Sequence, residues 1–155
     1  MPGTGSVTIR QRVWGAHFAT TIPEITTGLK NDELPATACM FFDLGYTFDH
    51  ITIDMVDVRQ ALDVVFVNTG FKVTHVERNL LPYVSRDIPN TGTARYFMEV
   101  NAGEAVNVDA NDDVIVVGLP GNGSGINMSE MMNLMITMMI VTMMMKMMSG
   151  MIKGE

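Results

Sequence analysis

Twelve of the 16 methionines of this 155-residue chain fall between Ile126 and Glu155, most of them in one run from Met128 to Met148. Methionine is unbranched, apolar and a good helix former. Spread around nearly the whole circumference of a helix, it leaves no adequate face for water, so a monomeric exposed helix is excluded. The segment is expected to meet other copies of itself, another protein or lipid. Asn127 with Glu130 three residues on resembles a helix-capping pair, and Gly150 supplies a stop. The enclosed 22 residues, Met128 to Ser149, predict a helix about 33 Å long.

Two readings of this helix compete. Asn127, Glu130, Asn133 and Thr137 share one sector, whereas Thr142, Lys146, Ser149 and Lys153 share another, rotated by more than about 100°. A bundle of like helices tolerates that shift through a stutter. The uncharged run Met131–Met145 is 15 residues long, short of the ~20 that span a bilayer. Asn133 is better placed in an interhelical hydrogen bond than in lipid. A homo-oligomer or larger protein assembly is therefore favoured, with Met131, Met135, Met138, Met139 and Met143 as contact residues. Anchoring in a membrane is the alternative. Thioethers also bind copper(I), but methionine at almost every position has no ligand spacing, so no metal or cofactor is expected.

Gly118-Leu-Pro-Gly-Asn-Gly-Ser-Gly125 reads as a linker. It divides the chain into a body over 1–117, the linker over 118–125 and the methionine-rich helix over 126–155. With 47% apolar and 17% charged residues the body can bury a core. The net charge is −7, and Glu130 and Glu155 balance Lys146 and Lys153, so the acidity belongs to the body. No basic cluster exists to meet a phosphate backbone, and no nucleic-acid partner is expected. The first ten residues contain no apolar stretch of the signal-peptide kind, so no cleaved signal peptide is expected. Beyond that the sequence leaves location open, with a surface or virion assembly favoured and membrane association as the alternative. Cys39 is the single cysteine, which excludes an internal disulfide and a multi-cysteine zinc site.

The body reads as mostly β (α+β), a small barrel or sandwich of short strands with minor helix. Ser6 to Val13 alternates as one strand. Ile22 to Leu29 fits a short helix with Pro23 in its first turn and Gly28 near its end. Ala36 to Leu44 reads as a buried strand that Gly45 breaks. Asp49 to Met55 alternates Ile51, Ile53 and Met55 with His50, Thr52 and Asp54. Leu62-Asp-Val-Val-Phe-Val67 is followed by Asn68-Thr-Gly70 and a partner strand, Phe71 to Glu77, in a hairpin. Asn79 to Gly92 is a long loop, Arg95 to Val100 a further strand, Asn101 to Glu104 a turn, and Val114 to Val117 the last strand.

Several of these blocks resemble one family. Ala94-Arg-Tyr-Phe-Met-Glu-Val-Asn-Ala-Gly103 is similar to the pattern Ala-Arg-Tyr-x-x-Glu-x-Asn-Ala-Gly of the domain of unknown function 192 family. Gly28-Leu29 and Cys39-Met-Phe-Phe42 stand where that family has Gly-Leu-Met and Gly-Met-Leu-Phe. Leu62 to Val67 resembles its Leu-Asp-Ile-Ile-Phe strand, with Asp63 as the shared acid, and Asp112-Asp113 replaces its Gly-Asp pair. Around Met55, the family's Trp, Lys and Asn are replaced by Asp54, Val56 and Asp57. The resemblance covers roughly Val7 to Val117. It implies a small, mostly β domain and brings no established activity.

No catalytic constellation emerges. His50 and Asp54 share a strand face but lie roughly 13 Å apart along it, too far for one ion; with Asp57 they read as a solvated face. Asp109 to Asp113 lacks calcium-loop spacing. Cys39 reads as a small buried hydrophobe. Asp63, inside an apolar strand, requires a partner, and Arg95 is the expected one, giving a structural ion pair. The expected function is a non-enzymatic structural or interaction module, a β-rich domain built into an oligomer, shell or surface layer of cell-surface or virion type. A membrane-tethered domain is one alternative, and a small ligand-binding domain or enzyme using Asp63 and Arg95 is another.

Overall fold

The computed structural model describes residues 4–120. The expected methionine-rich helix, its contact residues Met131, Met135, Met138, Met139 and Met143, and linker residues 121–125 lie outside the described residues. Among the described residues, chain contacts place Ser6–Ile115 in a first unit and residues 4–5 and 116–120 in a second; the following concerns the first unit except where strand bounds overrun it.

The described chain is mostly β with very little helix. Its strands are β1 (Thr4–Ile9), β2 (Arg12–Ala19), β3 (Ala38–Phe48), β4 (Ile51–Ile53), β5 (Leu62–Val67), β6 (Val73–Leu80), β7 (Arg86–Ile88), β8 (Ala94–Asn101) and β9 (Val114–Val117). The helix α1 spans Ile22–Thr27. Seven strands form one curled half-barrel sheet in the order β6-β5-β8-β3-β2-β1-β9, and β4 pairs with β7 in a separate ribbon. Within the large sheet β2 runs parallel to β3, while β3–β8, β5–β8 and β5–β6 are antiparallel.

The parallel pair requires a crossover, and α1 lies in it. Thr21 caps the helix: its hydroxyl accepts from the Glu24 amide, and the Glu24 carboxylate accepts from the Thr21 amide. Both are first-turn amides that the helix itself cannot satisfy. The backbone amides of Thr20 and Thr21, both donating to it, hold the Glu24 carboxyl below its ordinary range. The helix ends at Gly28, whose φ of +48° suits glycine, and a β-carbon there would meet the Phe42 ring at 3.4 Å.

β5 is buried at all six positions. It pairs with β6 along one edge and β8 along the other, and the side chains on both of its faces are buried, which suits its uninterrupted apolar run. One sheet face carries Met40, Phe42, Val64, Phe66 and Phe97, which join Leu29, Leu34, Ile53, Met55 and Val58 in one core. Phe42 and Phe97 stack with centroids 4.4 Å apart, and Phe66 follows at 6.0 Å from Phe97. The opposite face carries Phe18, Phe41 and Tyr96, with 5.9 and 5.5 Å between successive rings.

Three expectations about strands are corrected. Ser6–Val13 is not one strand: the chain turns at Arg10, whose φ is +57°, and β1 and β2 follow on either side. Gly45 does not end β3, because a register irregularity between Asp43 and Phe48 absorbs it. The loop from Asn79 to Gly92 contains β7, which pairs Arg86–Ile88 with β4.

Candidate functional site

The structure does not join Asp63 to Arg95. In the β5–β8 ladder Asp63 stands opposite Val100, five positions along β8 from Arg95, or roughly 17 Å of strand. Asp63 is 2% exposed and takes backbone donors instead. Its Oδ1 accepts from the Asn79 amide at 2.9 Å, and its Oδ2 accepts from the amides of Gly103 (2.9 Å) and Ala105 (3.2 Å). It therefore fastens the end of β6 and the turn after β8 to the middle of the sheet. Arg95 forms a two-point contact with Asp43, Nε to Oδ1 at 2.9 Å and a terminal nitrogen to Oδ2 at 3.3 Å. Antiparallel register decides both outcomes, since Asp43 lies opposite Tyr96, next to Arg95.

The other residues singled out in the sequence are also dispersed. His50 Nε2 lies 2.6 Å from Asp87. Asp54 pairs with Lys30 at 2.9 Å and accepts from the Val56 amide and the Ser85 hydroxyl. The Lys30 hydrogen bond, together with those two donors, holds the exposed Asp54 carboxyl below its ordinary range. Asp57 is exposed. Asp109 and Asp112 both engage Arg10. Among the described residues no three His, Cys, Asp or Glu side chains gather as a metal-binding group would. Cys39 is fully buried, and burial pushes its thiol up to about 12, with the Glu104 charge adding to the shift. A thiol held so firmly protonated is not an activated nucleophile.

The concave feature lies elsewhere. A cleft of about 330 Å³ opens between the crossover and the sheet. One wall is residues Ile25 to Lys30, from the end of α1 and the turn after it. Phe42, Leu44 and Tyr46 of β3, together with Phe97 and Glu99 of β8, form the sheet side. Ile51 to Asp54 and Val58 close the third side. Hydroxyls of Thr26, Thr27, Thr52 and Tyr46 and the Lys30–Asp54 pair supply the polar groups, and most of the wall is hydrocarbon or aromatic ring. A mostly apolar recess of this size with a few polar groups has the form of a small-molecule site.

Glu99 is the chemically distinctive member of that wall, and sequence reasoning missed it as a site. It is 6% exposed. Its ladder neighbours are Met40 on β3 and Val64 on β5. Among the described residues its carboxyl has neither a hydrogen-bond partner nor an ion pair. Burial without compensation pushes it up to about 8, so at neutral pH it mostly keeps its proton. The sequence did hold a signal. Phe97, Glu99 and Asn101 alternate with Tyr96, Met98 and Val100, so a strand apolar on both faces must carry its one acid inward.

Solved crystal structures share the fold. One is of a protein of unknown function from Novosphingobium aromaticivorans DSM 12444, 26% identical, with a TM-score of 0.65, covering 71% of this chain and 83% of that one. Another is of a protein from Sinorhizobium meliloti 1021 described as a "putative transcription regulator", 20% identical, with a TM-score of 0.66, covering 73% and 93%. No curated protein matches this sequence. The family model DUF192, described as "Uncharacterized ACR", matches residues 6–116. That span takes in Asp63, Arg95, the block from Ala94 to Gly103 and every wall of the cleft, and by that match the chain belongs to the DUF192 family.

Proposed function

We propose that the body is a non-enzymatic binding module that takes a small, largely apolar molecule into the cleft between α1 and the β3–β8 ladder. The observation that carries this reading is the cleft itself, about 330 Å³ with aromatic walls and a buried, unpartnered acid. No nucleophile stands beside that acid: Cys39 lies on the opposite face of β3 and is held protonated. The expected use of Asp63 and Arg95 as a ligand site finds no support, since one is occupied by backbone amides and the other by Asp43.

A titration with small aromatic solutes followed by amide NMR tests the reading. Shifts are expected at Gly28, Phe42, Thr52 and Phe97, and Leu44→Trp, which fills the cleft from its half-buried side, is expected to abolish them. Shifts scattered over the surface, or unchanged in Leu44→Trp, would remove the cleft as a site.

A second role, assembly, is favoured by the twelve methionines between Ile126 and Glu155. In this reading the segment joins copies of the chain into an oligomer, shell or surface layer and so displays the binding body. An apolar helix surface of this kind is penalised in water by about 25 cal/mol per Å². Light scattering is expected to give oligomers for the full chain and monomers for a chain ending at Gly118. Recovery of the full chain only in a carbonate-resistant membrane pellet would replace assembly by anchoring. Among the described residues no helix is long and apolar enough to cross a membrane.

A further inference from the structure

We infer that the ligand of the cleft is an organic ammonium, a cationic amine with an aromatic or aliphatic body, whose charged end pairs with Glu99. The inference rests on the cleft being a binding site and adds the chemistry of its occupant. Glu99 is a carboxyl group nine-tenths buried and without a partner among the described residues, in a wall of Phe42, Phe97 and aliphatic side chains. An acid in that setting is destabilised until a cation or a donor reaches it.

The occupant's charge follows from what the wall offers. Lys30 is the one cation among the lining residues, and Asp54 holds it at 2.9 Å. An anionic ligand would therefore meet the Asp54 carboxylate and the Glu99 acid, and no available positive group. A bare metal ion is equally unsuited, because a single carboxylate without converging His, Asp or Glu cannot replace its hydration shell. An ammonium needs one acid and tolerates hydrocarbon around its body. Aromatic rings in the wall, Tyr46 the most exposed of them, provide surfaces of the kind on which organic cations are stabilised. The net charge of −7 further favours the approach of a cation.

The groups that bear on Glu99 are few. His17, on β2, lies one strand beyond Met40, and its Nδ1 is buried without a partner. Glu77, opposite Val64 on β6, is held by Arg86 and His75 at 2.8 Å each. Lys30, Asp54 and Tyr46 lie along the cleft. Each of these stands off Glu99 by at least one intervening residue or is already paired, which leaves the acid to the ligand.

Calorimetry on the full chain at pH 7 tests the inference with three probes of one shape: 2-phenylethylamine, 2-phenylethanol and phenylacetate. The amine is expected to bind at least tenfold more tightly than the alcohol, and phenylacetate not at all. Glu99→Gln is expected to bring the amine down to the alcohol's affinity. Because burial holds Glu99 near 8 in the empty cleft, pairing with an ammonium must ionise it. Titrations in buffers of different ionisation enthalpy should show close to one proton released per amine bound. This wild-type readout does not depend on the variant's folding. Equal affinity for amine and alcohol, or amine binding without proton release, overturns the ammonium assignment and leaves the cleft as a site for neutral molecules. Failure of both amine and alcohol to bind overturns the assignment together with the binding role of the cleft.

Discussion

Asp63→Asn is expected to be the most damaging conservative substitution in the body, lowering stability by about 2–5 kcal/mol. The volume hardly changes; the acceptors do. The carboxylate receives three backbone N–H groups, one from Asn79 and two from the turn at Gly103–Ala105. Asparagine keeps one oxygen, so its amide nitrogen must face donors on one side. With the oxygen kept toward Gly103 and Ala105, the Asn79 amide loses its acceptor and confronts another donor, which costs about 1–3 kcal/mol, and the two remaining bonds lose the strength that a charged acceptor gave them. Denaturant unfolding of the two proteins measures the difference directly. A midpoint within about half a kcal/mol of the wild type would mean that water reaches these amides and that Asp63 is no anchor. Arg95→Ala serves as the contrast, since it should release Asp43 and uncover the Tyr96 ring at the other end of the ladder, with the Asp63 amides untouched.

Glu99→Gln is expected to act in the opposite direction and to do so only as the pH rises. Burial pushes the Glu99 carboxyl from its ordinary value near 4.5 up to about 8. Between those values the folded chain keeps a proton that the unfolded chain releases. Unfolding therefore becomes easier with rising pH, by about 1.4 kcal/mol per unit. Across the window from about 4.5 to 8 this group removes roughly 3–5 kcal/mol of stability, and the loss is complete above the folded value. Glutamine has no proton to exchange and abolishes that slope. The two proteins should be nearly equal at pH 4.5, and the variant clearly more stable at pH 8. The exposed carboxyls of Glu24, Asp54 and Asp87, held low by their donors, add the reverse trend at lower pH, identically in both proteins. Urea unfolding at pH 5, 6.5 and 8 separates the curves. Parallel profiles would show that Glu99 titrates at an ordinary value, and the argument from its burial would fall.

Local chemistry made part of this architecture readable in advance. Leu62–Val67 is six strand-forming residues bounded by turn signals, and its limits agree with the structure. Val114–Val117 was delimited the same way. Pro23 and Gly28 bracketed α1, although the capping pair Thr21 and Glu24 was passed over. The turn at Arg10 had no glycine or proline to mark it, so two strands merged into one. β7, only three residues long, has too little pattern to separate from a loop. The Asp63–Arg95 pairing failed for a different reason. Both residues were placed in the right strands, but register is a long-range property, and five positions of antiparallel ladder put each beside another partner. The cleft was not legible at all, because its walls meet only after the crossover is laid over the sheet.

That assembly from distant segments ties occupancy to folding. The walls come from residues 25–30, 42–46, 51–58 and 97–99, so the recess does not exist in any partly closed chain. It appears only when β8 has paired with β3, whose partners at the cleft, Phe42 and Phe97, are 55 residues apart. Such closures form late and slowly. A ligand of the cleft can therefore bind only the finished sheet, and by mass action it must raise the unfolding free energy, by about 2.7 kcal/mol at a hundred times its Kd. Thermal stability would thus report any molecule that occupies the cleft.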